Sequence, residues 1–345
     1  MKLIKTEEAV GSVLCHDITQ IIPGVVKDAV FRKGHVVTQE DIPVLLSVGK
    51  EHLYVWEKQE GMLHENEAAE VLRRVCQGRF LKASKPKEGK IELTAETDGL
   101  LKVDKEKLNA VNGLGQIVIA SRHGNFPVKK GDKVAGMRVV PLVIEEEKMQ
   151  KACEVAGKEP IFQILPYQKK KAGIVTTGSE VYYHRIEDKF TPVVIDKLKE
   201  CGVTEVKQIQ CNDDHEMITE AIQTLIEDGF DLIVCTGGMS VDPDDRTPLA
   251  IKNACTEVVT YGAPVLPGAM FMLAYCEKEG RQIPVMGLPG CVMYAKRTIF
   301  DLVLPRIMCD EKMHEKDFQL LGQGGLCLSC PVCTFPNCGF GKGGY

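Results

Sequence analysis

From Ala172 onward, short runs of Val, Ile and Leu alternate with longer stretches in which apolar residues return every three to four positions. The runs predict strands at Gly173–Thr176, Val203–Gln210, Asp231–Thr236, Glu257–Tyr261 and Pro284–Gly287. Between them the spacing predicts helices over Pro192–Cys201 and over Asp214–Asp228, the latter with Ile218, Ala221, Ile222 and Leu225 on one face. Two more helices are expected over Thr247–Ala254 and from about Met293 to Met308, where Pro305 would end or kink the second. Strands alternating with helices of this length build βαβ units, so residues 172–309 are expected to form an α/β domain. Its core would be a mostly parallel sheet with helices on both faces, a three-layer arrangement.

Residues 1–165 carry a weaker pattern. The first sixty hold short apolar runs such as Leu53-Tyr54-Val55 and a helix-like stretch, Gln39–Val48, which predicts mixed α/β structure. Ala68, Val71, Leu72 and Val75 recur at helical spacing within Glu65–Gln77, and the polar Ser84–Lys90 reads as a loop. Between Ile91 and Val143 the segments IELTAE, GLLKV, QIVIAS and KVAGMRVVPLVI alternate with glycine turns, a β-rich pattern. The charged run Glu145–Lys158 is helix-like, and a boundary is expected near Gln168–Lys171.

Composition narrows the class. With 345 residues and 44% hydrophobic content the chain can bury more than one core, and a formal net charge of -5 gives it no electrostatic reason to seek nucleic acid or an anionic membrane. The N-terminal MKLIKTEEAVG has no apolar signal region, and the most apolar stretch, Leu266–Tyr275, is too short to span a bilayer; a cytoplasmic location is expected. Of fourteen cysteines, ten are scattered among apolar runs, where residues such as Cys201 and Cys235 read as small buried hydrophobes. The other four crowd the last twenty residues.

In a parallel sheet, ligands bind at the carboxyl ends of the strands, so chemistry is sought in the loops that follow them. The first strand runs into Thr177-Gly178-Ser179-Glu180, where a glycine lets backbone amides approach a ligand and a carboxylate follows. The third runs into Gly237-Gly238-Met239-Ser240, whose amides suit a phosphate. Asp242, Asp244 and Asp245 come next and would repel a bare phosphate, which points to a bridging divalent cation; oxygen ligands at this density favour Mg²⁺, with Asp242 and Asp245 as candidate ligands. Pro264–Met270 (PVLPGAM) and Gly287-Leu288-Pro289-Gly290 supply two further Pro-Gly turns, the latter with Pro289 and Gly290 at a predicted helix start.

The order TTGSE, TGGMSVDPDD, PVLPGAM, GLPG resembles the molybdopterin-binding domain shared by the molybdenum insertases (molybdopterin molybdenumtransferases) and the adenylyltransferases that precede them. The resemblance implies molybdopterin, or its adenylylated form, as ligand, with AMP exchanged for molybdate in the presence of Mg²⁺. By motif, Glu180 and Asp245 match acidic catalytic positions, and Gly237, Gly238 and Ser240 match the loop that holds the pterin phosphate. Asp213 lies where the family commonly has an acidic pair. A homodimer and a client molybdoenzyme are implied as partners. The Met-Asp-Gly-aromatic motif of the insertases is not found between Met1 and Leu101, and the lysine of their KPG-type loop is replaced in Val265-Leu266-Pro267-Gly268. A non-catalytic carrier or chaperone delivering cofactor to a molybdoenzyme therefore stands beside the insertase reading. A nucleotide-pyrophosphatase relative of the same fold is a third.

The tail, residues 322–345, places Cys327, Cys330, Cys333 and Cys338 among Gly and Pro with few apolar anchors. Four thiolates at this spacing can close on one metal site, either Cys₄ zinc or an iron–sulfur cluster, and three cysteines so tightly spaced resemble ferredoxin-type runs.

Overall fold

The computed structural model describes residues 2–22, 26–55 and 60–343. It divides into two compact units, the first comprising residues 1–96, 103–122 and 131–163, the second 97–102, 123–130 and 164–345.

In the first unit, the antiparallel pairs Lys2–Lys5 with His52–Val55 and Ile18–Ile22 with Val26–Phe31 accompany a short helix, Asp41–Ser47. A four-stranded antiparallel sheet runs Leu81–Ala83, Ile91–Ala95, Lys133–Val139, Ile117–Ser121. Its strand Ile91–Ala95 alternates buried and half-buried residues, the period-two signature that made it legible. The helix Glu65–Cys76 buries Ala68, Ala69, Leu72, Val75 and Cys76; it starts where the His64 ring accepts from Asn66 N–H and Glu67 reaches back to His64 N–H. A helix at Lys105–Asn112, capped by Asp104, lies in a stretch the sequence assigned to strands and turns. Its apolar face is thin, with Val111 its one buried residue, so periodicity gave little sign of it.

The second unit is built on a six-stranded sheet. Its strands are β1 (Lys171–Thr176), β2 (Glu205–Gln210), β3 (Leu232–Thr236), β4 (Glu257–Tyr261), β5 (Met272–Lys278) and β6 (Arg281–Leu288), in the spatial order β2-β1-β3-β6-β5-β4. β2, β1, β3 and β6 pair in parallel, whereas β5 is antiparallel to both β6 and β4. Its longer helices are α1 (Phe190–Glu200), α2 (His215–Glu227), α3 (Thr247–Ala254) and α4 (Ile299–Ile307), with short ones at Ser179–Tyr182 and Glu315–Gln319. Alternate residues along the strands serve two different cores. Ile174, Leu232, Val234, Leu273 and Met286 pack with Val194 and Leu198 of α1 and with α4, while Val175, Ile233, Cys235, Ala274 and Val285 pack with α2 and α3.

Strand β5 and the first half of β6 are not among the expected elements. MLAYC is a continuous apolar run, buried throughout, so no alternation marked it. The β5–β6 turn holds Glu279 and Gly280 at φ 51° and 75°, the double positive-φ geometry of a two-residue hairpin, with Glu where Asn or Asp would have signalled it. The helix expected from Met293 to Met308 is a 3-10 turn, Gly290–Met293, followed by α4, which starts at the Thr298–Asp301 capping box. Pro305 lies inside α4 rather than ending it. No helix among the described residues is long and apolar enough to cross a membrane.

Candidate functional site

Sheet register builds the site. Gln210, Thr176, Thr236 and Leu288 are mutual partners across β2, β1, β3 and β6, so the four strands end in one row. Three strand spacings make that row about 14 Å long. The loops that leave it begin with Cys211 and reach Asp213 after β2, with Thr177 after β1, with Gly237 after β3 and with Pro289 after β6. The expected ligand-facing loops thus leave one edge of one sheet.

Thr177 ties two of them together. Its amide donates to Thr236 O at 2.8 Å, and its hydroxyl lies 3.1 Å from both Thr236 O and the Thr247 hydroxyl. The close approach needs glycine: at Gly237, φ 88°, a Cβ would sit 2.5 Å from Thr177 O, and at Gly238, φ 57°, 2.6 Å from Thr247 Oγ1. Thr247 N–H donates back to Gly238 O at 3.2 Å. A second tie joins β1 to β2: Ser179 N–H donates to Asp213 Oδ2 at 2.8 Å. Ser179 opens a single helical turn, Ser179–Tyr182, and the Glu180 carboxylate lies beside Gly178, whose φ is 127°.

The acidic segment folds on itself. Ser240 N–H donates to Asp245 Oδ2 at 2.8 Å, and Asp245 N–H to Asp242 O at 3.0 Å. The Tyr261 hydroxyl donates to Met239 O at 3.2 Å, and burial followed by the Asp245 charge pushes its pKa up. Met239 itself is buried against Gly287, where a Cβ would meet its sulfur at 2.5 Å. Glu180, Ser240, Asp242 and Gly290 are exposed, Ser179, Gly237, Gly238 and Asp245 half-buried, and Thr177, Gly178 and Pro289 buried. Thr236 is buried in this row with its hydroxyl lacking any hydrogen-bond partner, a polar atom that a ligand or water would satisfy.

Three residues of this framework were not singled out from sequence. Thr247 was visible only as a helix start, Tyr261 only as a strand end, and Asp188 carried no motif. Asp188 accepts from Phe190 N–H and Thr191 N–H at 3.0 Å and from Gln208 at 2.8 Å, fixing the start of α1 beside β2. Burial alone would raise its carboxyl pKa, but these hydrogen bonds outweigh burial and hold it below the ordinary value. At the other end of the strands a cavity of about 470 Å³ is lined by both signs of charge, with Lys170 paired to Asp310 and Arg281 to Asp231.

Cys201 and Cys235 are buried, and burial pushes the Cys201 thiol up to about 12. The tail cysteines differ: Cys327 and Cys338 are half-buried, Cys330 and Cys333 exposed, and all four line one cavity of about 250 Å³. Among the described residues, no three His, Cys, Asp or Glu side chains converge where one metal ion would bind them.

Comparison with known proteins follows the same division. Residues 173–308 match the model of a family described as a probable molybdopterin binding domain, and residues 3–57 match a family described as a domain of unknown function. The CinA-like protein of Mycobacterium sp. strain MCS is 36% identical over 85 residues, 25% of this chain and 20% of that protein. That of Mycobacterium avium strain 104 is 35% identical over 95 residues, 28% of this chain and 22% of its own. These matches span about a fifth of the relatives' length. Among solved structures, the tungsten cofactor synthesizing protein MoaB from Pyrococcus furiosus aligns at TM-score 0.32 and 19% identity, covering 41% of this chain and 89% of its own. CinA from Thermoplasma acidophilum aligns at TM-score 0.33 and 15% identity, covering 40% of this chain and 98% of its own.

Proposed function

Because residues 173–308 belong to the family of probable molybdopterin-binding domains, we propose that the edge formed by the ends of β1, β2, β3 and β6 binds molybdopterin or its adenylylated form through its phosphate. The observation that carries this reading is the Thr177 clasp, which holds the TGSE and GGMS loops against one another at adjacent strand ends. In this reading Thr177, Gly178, Ser179, Gly237, Gly238 and Ser240 surround the phosphate, and Pro289 and Gly290 border the bound pterin. Asp242 and Asp245 are the residues that would hold Mg²⁺. Their donor chemistry fits, since Mg²⁺ takes one or two carboxylates plus substrate phosphate oxygens and keeps its remaining waters. Asp245 commits Oδ2 to Ser240 N–H, which fixes the carboxylate next to the phosphate loop.

The reaction proposed is molybdate insertion with release of AMP. Mg²⁺ would neutralise charge on the phosphoanhydride as it breaks. The chain's part is to hold the departing phosphate on fixed amides and to orient water or molybdate through Glu180 and Asp245. No residue is assigned the part of a covalent nucleophile in this reading. The alternative, a carrier that binds the pterin and passes it to a molybdoenzyme, is favoured by one feature. Leu266, more than half exposed, precedes the Pro267-Gly268 turn where the insertase loop has lysine.

Turnover separates the two. AMP release that depends on molybdate and Mg²⁺, and that disappears in Glu180→Gln and Asp245→Asn, supports the enzyme. Stoichiometric pterin binding without AMP supports the carrier, and hydrolysis of ADP-ribose in place of either would overturn both.

A further inference from the structure

The tail lies outside residues 173–308, and no part of the pterin reading uses it. It is nevertheless firmly held. Leu266 and Leu326 form a parallel bridge in which Leu266 N–H donates to Gly325 O and Cys327 N–H to Leu266 O, both at 2.8 Å. Lys296 Nζ donates to Pro331 O at 2.8 Å, and Gly341 N–H to Gly324 O at 2.9 Å. The Arg297 guanidinium stands 5.2 Å above the Phe335 ring, which meets Phe126 at 5.8 Å and the buried Phe340 at 6.3 Å. Leu266 follows β4 and Lys296 follows β6, so the tail is fastened to segments that leave the same ends of the strands as the glycine loops.

This folding forms a cavity of about 250 Å³, open to solvent, whose wall holds Cys327, Cys330, Cys333 and Cys338 together with Leu326, Leu328, Phe335 and Phe340. Two features decide what it would take. A structural zinc ion draws four sulfurs to about 2.3 Å from one point, which sets them roughly 3.8 Å apart. Here the four cysteines line one void of about 250 Å³, and three of them follow the C-x2-C-x2-C spacing of ferredoxin-type cluster sites. The wall is otherwise mostly apolar; its one charged member, Arg297, is already paired with Glu200 and Asp301, and Leu326, Leu328, Cys330 and Cys333 are exposed, so the site opens to solvent where iron and sulfide can enter.

We propose that this cavity is the seat of a four-iron, four-sulfur cluster ligated by the thiolates of Cys327, Cys330, Cys333 and Cys338. The inference is independent of the pterin reading. The test is anaerobic reconstitution of the full chain with equal amounts of ferric and ferrous iron and inorganic sulfide, which together supply the oxidation level of the resting cluster, followed by desalting and analysis. The expected product holds about four iron and four acid-labile sulfide per chain and gives a paramagnetic signal on one-electron reduction with dithionite. Cys330→Ser and Cys333→Ser each lose most of that iron and sulfide. Their far-ultraviolet circular dichroism stays unchanged, because both side chains are exposed and support no core. Cys153→Ser, at an exposed cysteine on a helix of the first unit, keeps the full complement. One zinc per chain without sulfide, iron that survives loss of Cys330 and Cys333, or a chain that takes up neither metal would each overturn the proposal. Pterin titration of the same samples is read separately, so failure of one reading is distinguishable from failure of the other.

Discussion

Replacing Gly237 by Ala tests whether the two loops are clasped as described. The residue sits at φ 88°, and an added Cβ would lie 2.5 Å from Thr177 O and 2.8 Å from Thr177 Oγ1. A left-handed backbone costs an L-residue about 1–2 kcal/mol. Forcing a methyl group into backbone that cannot yield costs a further 1–3 kcal/mol, roughly. The sum is about 2–5 kcal/mol. Gly280→Ala is the matched control: it stands in the β5–β6 hairpin of the same sheet at φ 75°, with nothing within 4 Å of the added Cβ. Only the conformational cost of about 1–2 kcal/mol applies there. Because the chain has two units, the assay is the urea dependence of amide-exchange protection in peptides from β1 and β3, which reads the second unit by itself. Gly237→Ala is expected to lose about 1–3 kcal/mol more than Gly280→Ala. Equal losses would mean that Thr177 and Gly237 are not in contact in solution, and the clasp would have to be abandoned.

Two further predictions concern the frame behind the site. Lys197 of α1 is buried with its ammonium 2.7 and 2.8 Å from the two carboxylate oxygens of Asp301 in α4, and Asp301 also pairs with Arg297 at 2.8 Å, so Lys197→Ala, which leaves Asp301 that second partner, should cost about 1.5–3 kcal/mol in the same exchange assay. A loss below about 1 kcal/mol would show that the pair is solvated. Asp188 supplies a pH dependence: its carboxyl is held below the ordinary value, so the folded form binds its proton less readily than the unfolded chain. The resulting stability is fully present above the unfolded carboxylate pKa and is lost as pH falls through the lowered folded value. Asp188→Asn should therefore flatten the acid limb of the urea midpoint against pH; an unchanged limb would assign acid sensitivity to other carboxylates.

The parallel part of the sheet was legible because its strands are short, β-branched and separated by helices with clear apolar faces, as in Ile218, Ala221, Ile222 and Leu225 of α2. What escaped was β5, the strand antiparallel to both its neighbours. The apolar run of β5 has no period, and the Glu279–Gly280 turn uses an atypical residue at positive φ. Candidate ligand residues were found as loops, since glycine pairs and acidic runs are local features. The contacts that fasten those loops were not, because Thr177 with Thr247, Ser179 with Asp213, and Tyr261 with Met239 are separated by tens of positions. The tail reversed this. Its cysteine spacing was plain in the sequence, but the void they surround and the aromatic wall from Phe335 and Phe340 exist only once the chain is folded.

The most direct test of the pterin reading is anaerobic titration of the full chain with molybdopterin, followed by native mass spectrometry, with Mg²⁺ present and after its removal by chelation. The account predicts one pterin per chain, weakened at least about tenfold by chelation and by Asp245→Asn, which keeps an oxygen to accept from Ser240 N–H but loses the charge. A chain that binds no molybdopterin, or that binds it equally well without Mg²⁺ and without the Asp245 charge, would contradict it.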